Sequence, residues 1–412
     1  MTTNQSTSTK GLLAGIKVLD LSRILAGPWA TQLLADYGAT VWKIEKPECG
    51  DDTRSWGPPF LELGEEQISA YFLSANRGKY SLAIDISCIE GQSIIRRLVR
   101  EADILVENFK VNGLKRYGLD YESLKQINPG LIYCSITGFG QDGPMAAAPG
   151  YDAMIQATGG LMSITGKPDS EGGEPTKVGV AVTDLMTGMY ASTAILAALN
   201  HRNSGGSGQH IDLALLDTQV AMLANQAMNY LVSGNPPERK GNGHPNIVPY
   251  QTFKCQDGFI MLAVGNDRQF CSTCNVLGIL EVSEDTRFTT NANRVIHRTE
   301  LISILEQRFA ENRRDFWLAE LSREGVPCGP VNNVAEAMAH EQIQHRNMKI
   351  EIAGDNDIQI PLVANPVQFS DVDINYRVPP PKLGEHTEEI LRDVLNVDED
   401  ELDNLKKSNS IS

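Results

Sequence analysis

One carboxylate stands alone in an apolar stretch of this chain and is the first candidate for chemistry. Asp184 is the only charged residue of VAVTDLMTGMY, residues 180–190. The overlapping VGVAV, residues 178–182, predicts a short buried strand or an extended loop, and a helical pattern follows it. In the structural interpretation, Asp184 is a helix N-cap, which contributes about 1 kcal/mol. In the catalytic interpretation, the helix N-terminus keeps this poorly solvated carboxylate ionised, so that it can attack an activated carbonyl. The small residues Thr187 and Gly188 would leave room for a ligand.

Other patterns that could carry chemistry are weaker. The sequence contains no GxSxG, HExxH or P-loop motif, and its seven histidines show no spacing typical of metal ligands, so we predict no metal site. CSTC, with Cys271 and Cys274, is a single CxxC in a helical context, which favours buried helix cysteines. Seven cysteines in a long chain favour reduced thiols and a cytoplasmic location, or the mitochondrial matrix in a eukaryote.

Basic residues follow several of the predicted strands. Arg23 follows the first strand and Lys46 the second, while Asn108 and Phe109 close the fourth, with Arg116 soon after. Each cation taken alone is typical of a solvated surface. Because ligands of a parallel sheet bind outside the carboxyl ends of its strands, several cations there predict a phosphate-bearing ligand. Asn108 would give that ligand an amide contact and Phe109 an aromatic face.

The elements that must position these residues alternate between strand and helix patterns. Strands are predicted at IKVLDL (16–21), TVWKIE (40–45), YSLAIDI (80–86), DILVENF (103–109) and GLIYCSITGF (130–139), and helices at WATQLLADYG (29–38) and GQSIIRRLVREA (91–102). Strands separated by helices predict an α/β fold with a parallel sheet. The first strand-to-helix loop, SRILAGP, lacks the GxGxxG fingerprint, which disfavours a nicotinamide dehydrogenase.

Length and charge bound the class of protein. The 412 residues are 41% apolar and 21% charged, enough for two globular domains. The net charge of −16 argues against nucleic-acid binding. No apolar run reaches the ~18 residues that a membrane span needs, so we expect no membrane partner. A smaller α+β unit is predicted around TFKC and GFIMLAVG, after the Pro- and Gly-rich GNPPERKGNGHPNIVPY.

Nearly the whole chain resembles CoA-transferase family III, the formyl-CoA and carnitine CoA-transferase group. The motifs that carry the resemblance are VLDLSRILAGPWATQLLADYGATVWKIEKPECGDDTR, NRGKYSLAIDI, ADILVENF, SITGFGQDGP, PGYDAMIQATGGLM, VGVAVTDLMTGMYASTAILAAL, GVPCGPVNN and LGEHT. Within the family, WGPPF, YCSITGFGQDGP and IVPYQTFK are most similar to the succinyl-CoA-dependent dicarboxylate (succinate–hydroxymethylglutarate or glutarate) transferases.

The resemblance implies that Asp184 is the catalytic residue. Its carboxylate would form a mixed anhydride with the acyl group of the donor and then a thioester with CoA, so that no metal or ATP is needed. The implied cofactor is coenzyme A, bound as the acyl-CoA substrate. The family's CoA contacts fall on Leu25, Ala26, Lys46, Ile84 to Ser87, Asn108 to Lys110 (with Phe109), Arg116, and Pro149 to Asp152 (with Tyr151).

The acid specificity is expected to depend on Arg23 and on one loop. Where one family member has a glycine-rich lid over its aspartate, this chain has GNGHPNIVPY, and we expect Gly243, His244 and Asn246 to shape the acid pocket. Arg23 would then bind the remote carboxylate of a dicarboxylic acyl group, or else a CoA phosphate. The different loop disfavours a formyl-CoA:oxalate type of transferase.

Two alternatives remain open at this stage. A racemase or epimerase of the same family would need a histidine just before Asp152, where this chain has Tyr151. The other alternative is a non-catalytic protein that binds CoA or serves in assembly.

The resemblance also implies a homodimer of two interlocked, ring-like chains. Each chain would have a large Rossmann-like CoA-binding domain (1–205 and 340–412), a linker helix (206–235), a small α+β domain (236–330) and a return linker (331–339).

Overall fold

The structure is a computed structural model that describes residues 11–63, 66–354, 358–374, 376 and 378–412. The strands are β1 (Lys17–Asp20), β2 (Thr40–Glu45), β3 (Phe60–Leu63), β4 (Glu66–Ser69), β5 (Lys79–Ala83), β6 (Ile104–Glu107), β7 (Ile132–Thr137), β8 (His210–Ala214), β9 (Tyr250–Cys255), β10 (Gly258–Ala263), β11 (Cys328–Pro330), β12 (Lys349–Ala353) and β13 (Gln359–Val363).

The α-helices are α1 (Ala26–Asp36), α2 (Ala70–Ala75), α3 (Ile89–Glu101), α4 (Tyr121–Leu124), α5 (Asp152–Thr158), α6 (Leu161–Ile164), α7 (Val182–Asn203), α8 (Leu215–Met222), α9 (Ala224–Ser233), α10 (Asp267–Val276), α11 (Leu280–Glu284), α12 (Asn291–Ile296), α13 (Arg298–Phe309), α14 (Arg314–Arg323), α15 (Val334–Ala339), α16 (Glu341–His345), α17 (Thr387–Leu395) and α18 (Glu399–Lys407). Short 3-10 helices occupy Asp52–Ser55, Lys115–Tyr117 and Asp169–Glu171.

The main sheet is parallel, as the alternating pattern predicts. Its order is β5-β2-β1-β6-β7-β8, and each neighbouring pair is parallel. Counted in chain order within the sheet, this is 3-2-1-4-5-6, the order of dinucleotide-binding folds. Every residue of β6 and β7 is buried, because helices cover both faces of the sheet. The order reverses between β1 and β6, and such a switch point opens a crevice at the carboxyl ends of the strands.

The core lies on the two faces of this sheet. On one face, side chains of β1, β2 and β7 pack with α3, α17 and α18. On the other face, the same strands pack with α1 and α7. The C-terminal helices therefore belong to the same core as the first strand, although more than 360 residues separate Asp20 from Thr387.

Two local features differ from the sequence expectations. The strands β3 and β4 pair antiparallel, which the mixed polar and apolar pattern there did not predict. Of the two alternatives predicted for VGVAV, a buried strand or an extended loop, the strand does not form: residues 178–181 are a loop that bends at 179–180, and Val180 is 57% exposed.

The chain divides into two compact units. The first comprises Met1–Gly160, Gly179–Ala227 and Gln342–Ser412, and the second comprises Leu161–Val178 and Met228–Glu341. These limits differ from the expected domain boundaries. Leu161–Val178 belongs to the second unit, although the large domain was expected to include residues 1–205, and residues 206–227 belong to the first unit, although they were expected in the linker helix. The strand β8 pairs with β7, which joins the start of the expected linker helix to the first unit. The second unit is built on the antiparallel sheet β11-β10-β9, with a core of its own that includes Phe253, Phe309 and Trp317.

Helix α7 meets the length and composition criteria for a membrane span among the described residues. Its most apolar 18-residue window has a mean hydropathy of 1.3, whereas we expected no run of that length. The buried core helix of a globular protein passes the same test, and α7 contributes Ala191 and Ile195 to the core beneath the sheet.

Candidate active site

Asp184 occupies the first turn of α7, but it does not cap the helix. The N-cap position is Ala181, whose side chain accepts no hydrogen bond, and Asp184 is the third helical residue. Instead, Asp152, the first residue of α5, accepts hydrogen bonds from the free amides at the start of α7. Its Oδ1 lies 2.8 Å from the amide nitrogen of Thr183 and 3.3 Å from that of Asp184. The N-cap interpretation of Asp184 is therefore wrong, because a carboxylate from another helix takes that place.

The electrostatics of Asp184 also differ from the expectation. Burial raises the pKa of its carboxyl group to about 7, and the nearby negative charge of Asp152 adds to the rise. We expected the helix N-terminus to keep the group ionised, but Asp152 receives the amide hydrogen bonds that would stabilise that form. A carboxylate of this pKa is a stronger base and nucleophile than a solvated one, and a large fraction is ionised at neutral pH.

A cavity of about 560 Å³ opens in front of Asp184. It lies at the carboxyl ends of β1 and β6, the switch point of the sheet. Twelve of the residues selected from the sequence line it: Arg23, Leu25, Ala26, Asn108, Phe109, Lys110, Arg116, Pro149, Gly150, Tyr151, Asp152 and Asp184. Three cations and two acidic side chains thus share one concave site.

The loop after β1 is held in a strained conformation. Ile24 has a φ of 72°, which costs free energy for a β-branched residue. Both carboxylate oxygens of Asp51 lie 3.2 Å from its amide nitrogen. Lys43, itself fully buried, donates to Asp51 at 2.9 Å and to the carbonyl of Ser22 at 3.0 Å. Burial alone would raise the pKa of Asp51, but Lys43 and the amide of Thr53 lower it to about 2.

Arg23 and Asn108 tie the two loops of the switch point together. The Asn108 side chain accepts from the amide of Arg23 at 2.9 Å and donates to its carbonyl at 2.7 Å. The guanidinium of Arg23 is half-exposed, lies 5.9 Å from the ring centre of Phe109 and pairs with Asp52 at 2.8 Å. The expected binder of a substrate carboxylate is therefore already paired with a surface carboxylate at the rim of the cavity.

Five of the expected CoA contacts lie outside the lining of this cavity, namely Lys46 and residues Ile84 to Ser87. Lys46 is exposed after β2, and Ser87 is exposed with its amide bonded to Asp85. Ile84 is only 1% exposed and forms a bridge with Ile411. All five follow strands of the sheet at its carboxyl edge, and their contact with an extended ligand stays a prediction.

The loop residues expected to shape the acid pocket belong to the second unit. His244 Nδ1 accepts from the amide of Asn246 at 3.1 Å, and Gly243 donates its amide to the carbonyl of Lys240. Burial, together with the charge of Arg298, lowers the pKa of His244, so its ring is neutral at pH 7. Arg298 donates to the carbonyl of His244 at 2.7 Å.

The sequence reasoning missed two features near Asp184. Burial raises the pKa of Tyr71 to about 12, and the charges of Asp184, Asp152 and Asp51 contribute, which puts this phenol close to the site. Its ring packs edge-on against Trp56 at 5.1 Å. Gly188, which we expected to leave room for a ligand, instead accommodates α1: a Cβ there would lie 2.7 Å from the carbonyl oxygen of Ala26.

The cysteines and metal-ligating residues supply no further centre in the part of the chain that the structure describes. No group of three His, Cys, Asp or Glu side chains is arranged to hold an ion there. Cys271 is exposed and Cys274 is buried on α10, so the prediction that both are buried is wrong for Cys271, and both are free thiols.

Comparison with known proteins gives consistent results. Residues 13–387 match the model of CoA-transferase family III. The chain is 51% identical to a succinate–glutarate CoA-transferase of Agrobacterium fabrum over 94% of this chain and 96% of the relative. It is 44% identical to the human succinyl-CoA:glutarate CoA-transferase over 94% and 87% of the two chains. A crystal structure of a CAIB/BAIF family protein from Brucella suis is 52% identical, with a TM-score of 0.84 over 93% of this chain and 100% of that one.

Proposed function

Because the chain belongs to CoA-transferase family III, we propose that it transfers coenzyme A from succinyl-CoA to a dicarboxylic acid, with glutarate as the first candidate. The observation that carries the proposal is the position of Asp184. Its carboxyl group is largely buried at the end of a cavity whose wall carries Lys110 and Arg116. A nucleophile at one end of a cavity and cations along its wall suit an acyl thioester of a phosphorylated carrier.

The proposed reaction uses the Asp184 carboxylate as a nucleophile. One oxygen attacks the thioester carbon of succinyl-CoA, the C–S bond breaks, and a succinyl–aspartyl anhydride and CoA thiolate form. The thiolate attacks the aspartyl carbonyl and releases succinate, which leaves an aspartyl-CoA thioester. The acceptor carboxylate attacks that thioester and displaces the thiolate, and the thiolate then takes the acceptor acyl group from the new anhydride. Asp184 is regenerated, and the thioester energy is conserved.

The surroundings of Asp184 suit the first step. Its pKa of about 7 combines an ionised fraction at neutral pH with enhanced nucleophilicity. Burial also limits access of water, which would hydrolyse the anhydride. Lys110 and Arg116 are the proposed contacts for the CoA phosphates, and Asn108 and Phe109 for its neutral portion.

Arg23 is the proposed contact for the remote carboxylate of the acid. Its guanidinium lines the cavity and already binds the carboxylate of Asp52, so it can bind a substrate carboxylate by exchanging partners. An Arg23→Ala variant should raise the KM of glutarate more than that of a monocarboxylic acid of similar length. Equal KM changes for both acids would exclude this role.

A racemase is the less favoured activity for this site. Such an enzyme needs a second acid–base group beside Asp184, and Tyr151 occupies the position where the family's histidine would stand. Asp152 is held by amides of α7 and by the side-chain amide of Gln156 at 2.6 Å, which limits its freedom to exchange protons.

The proposed assembly is the interlocked homodimer of the family. Its support on this chain is the apolar surface of the second-unit part of α9, where Leu231 is 70% and Val232 81% exposed. Adjacent exposed apolar side chains of this kind mark a protein interface.

The test is to incubate the protein with succinyl-CoA and a panel of mono- and dicarboxylic acids and to weigh the acyl-CoA products. Trapped enzyme is then digested and searched for an added mass on the peptide that contains Asp184. Asp184→Asn should lower transfer by about 1,000-fold or more. The matched control is Asp217→Asn, because Asp217 is also the third residue of its helix, α8, but is exposed. Full activity of Asp184→Asn, without an adduct in the wild type, would falsify the mechanism.

A further inference from the structure

A second cavity of about 190 Å³ lies behind the wall of the first one. The wall between them is residues 108–116, here called the 108–116 segment. Lys110, Val111, Asn112 and Gly113 line both cavities. The second cavity is closed at the sheet by side chains of β6, β7 and β8. A change on that side can therefore move the segment without touching a ligand in the first cavity.

Glu107, the last residue of β6, connects this second cavity to the segment. It is 6% exposed, and its Oε2 accepts from the amide of Phe109 at 2.8 Å. In the sheet register Glu107 stands beside Ser135 of β7, and Ser135 stands beside Asp212 of β8. The Ser135 hydroxyl bonds to Glu107, and its Oγ lies 2.9 Å from Nε2 of His210. A row of polar groups thus runs across three strands: it is exposed at His210 and Asp212, buried at Ser135 and Glu107, and ends on the amide of Phe109.

We propose that Glu107 is a positioning residue that holds the 108–116 segment in its ligand-binding arrangement only while it is ionised, so that binding of coenzyme A is linked to loss of a proton from Glu107. The inference rests on the proposed function, because it assigns the first cavity to coenzyme A. Glu107 touches neither the first cavity nor the reacting atoms and acts through Phe109 and its neighbours.

The hydrogen bonds explain why the charge matters. Both the Phe109 amide and the Ser135 hydroxyl donate to Glu107, and such bonds are about twice as strong when the acceptor is ionised. Protonation turns one acceptor oxygen into a donor and weakens the anchor of the segment. Burial raises the pKa of Glu107 to about 7; the two hydrogen bonds lower it, and the negative charge of Asp212 raises it further. Both the protonated and the ionised form are therefore populated near neutral pH.

Other titratable groups also face Glu107. From the strands these are Tyr133, His210 and Asp212. From the segment and the residues after it they are Lys110, Lys115, Asp120, Tyr121 and Glu122. Burial lowers the pKa of His210 and raises that of Tyr133, so both are neutral at pH 7. Among these groups, Glu107 is the one that accepts from the amide of Phe109, and its ionised form should bind coenzyme A more tightly.

The experiment measures coenzyme A binding by titration calorimetry on the full chain. Wild type, Glu107→Gln and Ser135→Ala are compared at about pH 6, 7 and 8, in two buffers of different ionisation enthalpy. Glu122→Gln, an exposed carboxylate of the same cavity, is the matched control. Between pH 8 and pH 6, the affinity of the wild type for coenzyme A should fall by roughly tenfold more than the affinity of Glu107→Gln. Binding near pH 7 should release a fraction of a proton from the wild type, and this release should be absent in Glu107→Gln.

Ser135→Ala provides an independent test. Loss of its hydroxyl removes a bond that favours ionised Glu107, so the pH dependence should move to higher pH rather than disappear. A merely structural role would weaken binding equally at every pH. If the wild type binds no coenzyme A, the proposed function itself is wrong. If it binds, and Glu107→Gln keeps the wild-type pH dependence and proton release, only this inference is overturned. If Glu107→Gln fails to fold, a pH profile of coenzyme A binding that Ser135→Ala leaves unshifted overturns this inference.

Discussion

At the scale of single residues, the site depends on a division of roles between two aspartates. Asp152 accepts hydrogen bonds from free amides of α7. Asp184 is largely buried, and its carboxylate does not receive those hydrogen bonds. The charge of Asp152 then opposes ionisation of Asp184. In the proposed mechanism, Asp184 is able to attack a thioester because its ionised form lacks stabilising hydrogen bonds and charges, which is a common cause of perturbed pKa values at active sites.

Asp152→Asn should shift the pH dependence of transfer. The proposed mechanism requires ionised Asp184, so activity should rise as pH increases through the pKa of about 7. Removing the negative charge of Asp152 lowers that pKa, and the acidic limb of kcat/KM should move to lower pH. The amide oxygen of asparagine can still accept from Thr183, so the fold should persist. An acidic limb that stays in place would show that Asp152 does not influence Asp184.

Asp184→Asn should stabilise the fold at alkaline pH. A raised carboxyl pKa means that the folded state retains a proton which the unfolded chain, with a value near 3.8, has lost. The free energy of unfolding of the wild type therefore falls as pH rises from about 4 to about 7. Above about pH 7 this loss is complete. Thermal melting should show a higher Tm for the variant than for the wild type near pH 8, and a smaller difference near pH 5. The exposed control Asp217→Asn should show neither effect.

At the scale of elements, the contact between α1 and α7 fixes the distance from Asp184 to the loop after β1. Gly188 follows Asp184 by one helical turn and lies against the carbonyl of Ala26 and the ring of Trp29. Ala26 also lines the cavity. The absence of a side chain at Gly188 allows this close approach, and the strained Ile24 lies only two residues before Ala26.

Gly188→Ala should separate the two helices. The new methyl group would lie 2.7 Å from the carbonyl oxygen of Ala26, which neither backbone can accept without moving. We expect a loss of stability of about 1–3 kcal/mol from overpacking, and a decrease in transfer at temperatures where the variant is still folded. Gly329→Ala is the control, because a Cβ there meets nothing within 4 Å. Unchanged stability and activity of Gly188→Ala would contradict this account of the contact.

At the scale of the whole molecule, the proposed dimer makes a direct prediction. Light scattering should give a mass of twice 45.1 kDa, and interlocked chains should stay together on dilution to nanomolar concentration. Replacing Leu231 and Val232 by serine should weaken assembly if α9 is part of the interface. A monomer mass at micromolar concentration would exclude the proposed assembly.

Part of the fold could be predicted because its signals are local. Apolar runs rich in β-branched residues mark β1, β2, β6 and β7, and helical spacing marks α3, so the parallel α/β sheet is confirmed. Asp184 was recognisable because a single charge in an apolar stretch is unusual, and Arg23 and Asn108 because they follow strands. The antiparallel pair β3–β4 gave no such signal, since its alternation of polar and apolar residues is irregular.

The sequence by itself determined which residues carry charge and which segments become strands, because both depend on residue type and on neighbours a few positions away. The tertiary structure alone decided that Asp152 caps the helix of Asp184 and that Glu107, Ser135 and Asp212 form one row. Those relations depend on strand register and helix packing between segments tens of residues apart. A pKa responds to burial and to charges in space, so the chemistry of these carboxylates was set only when the chain folded.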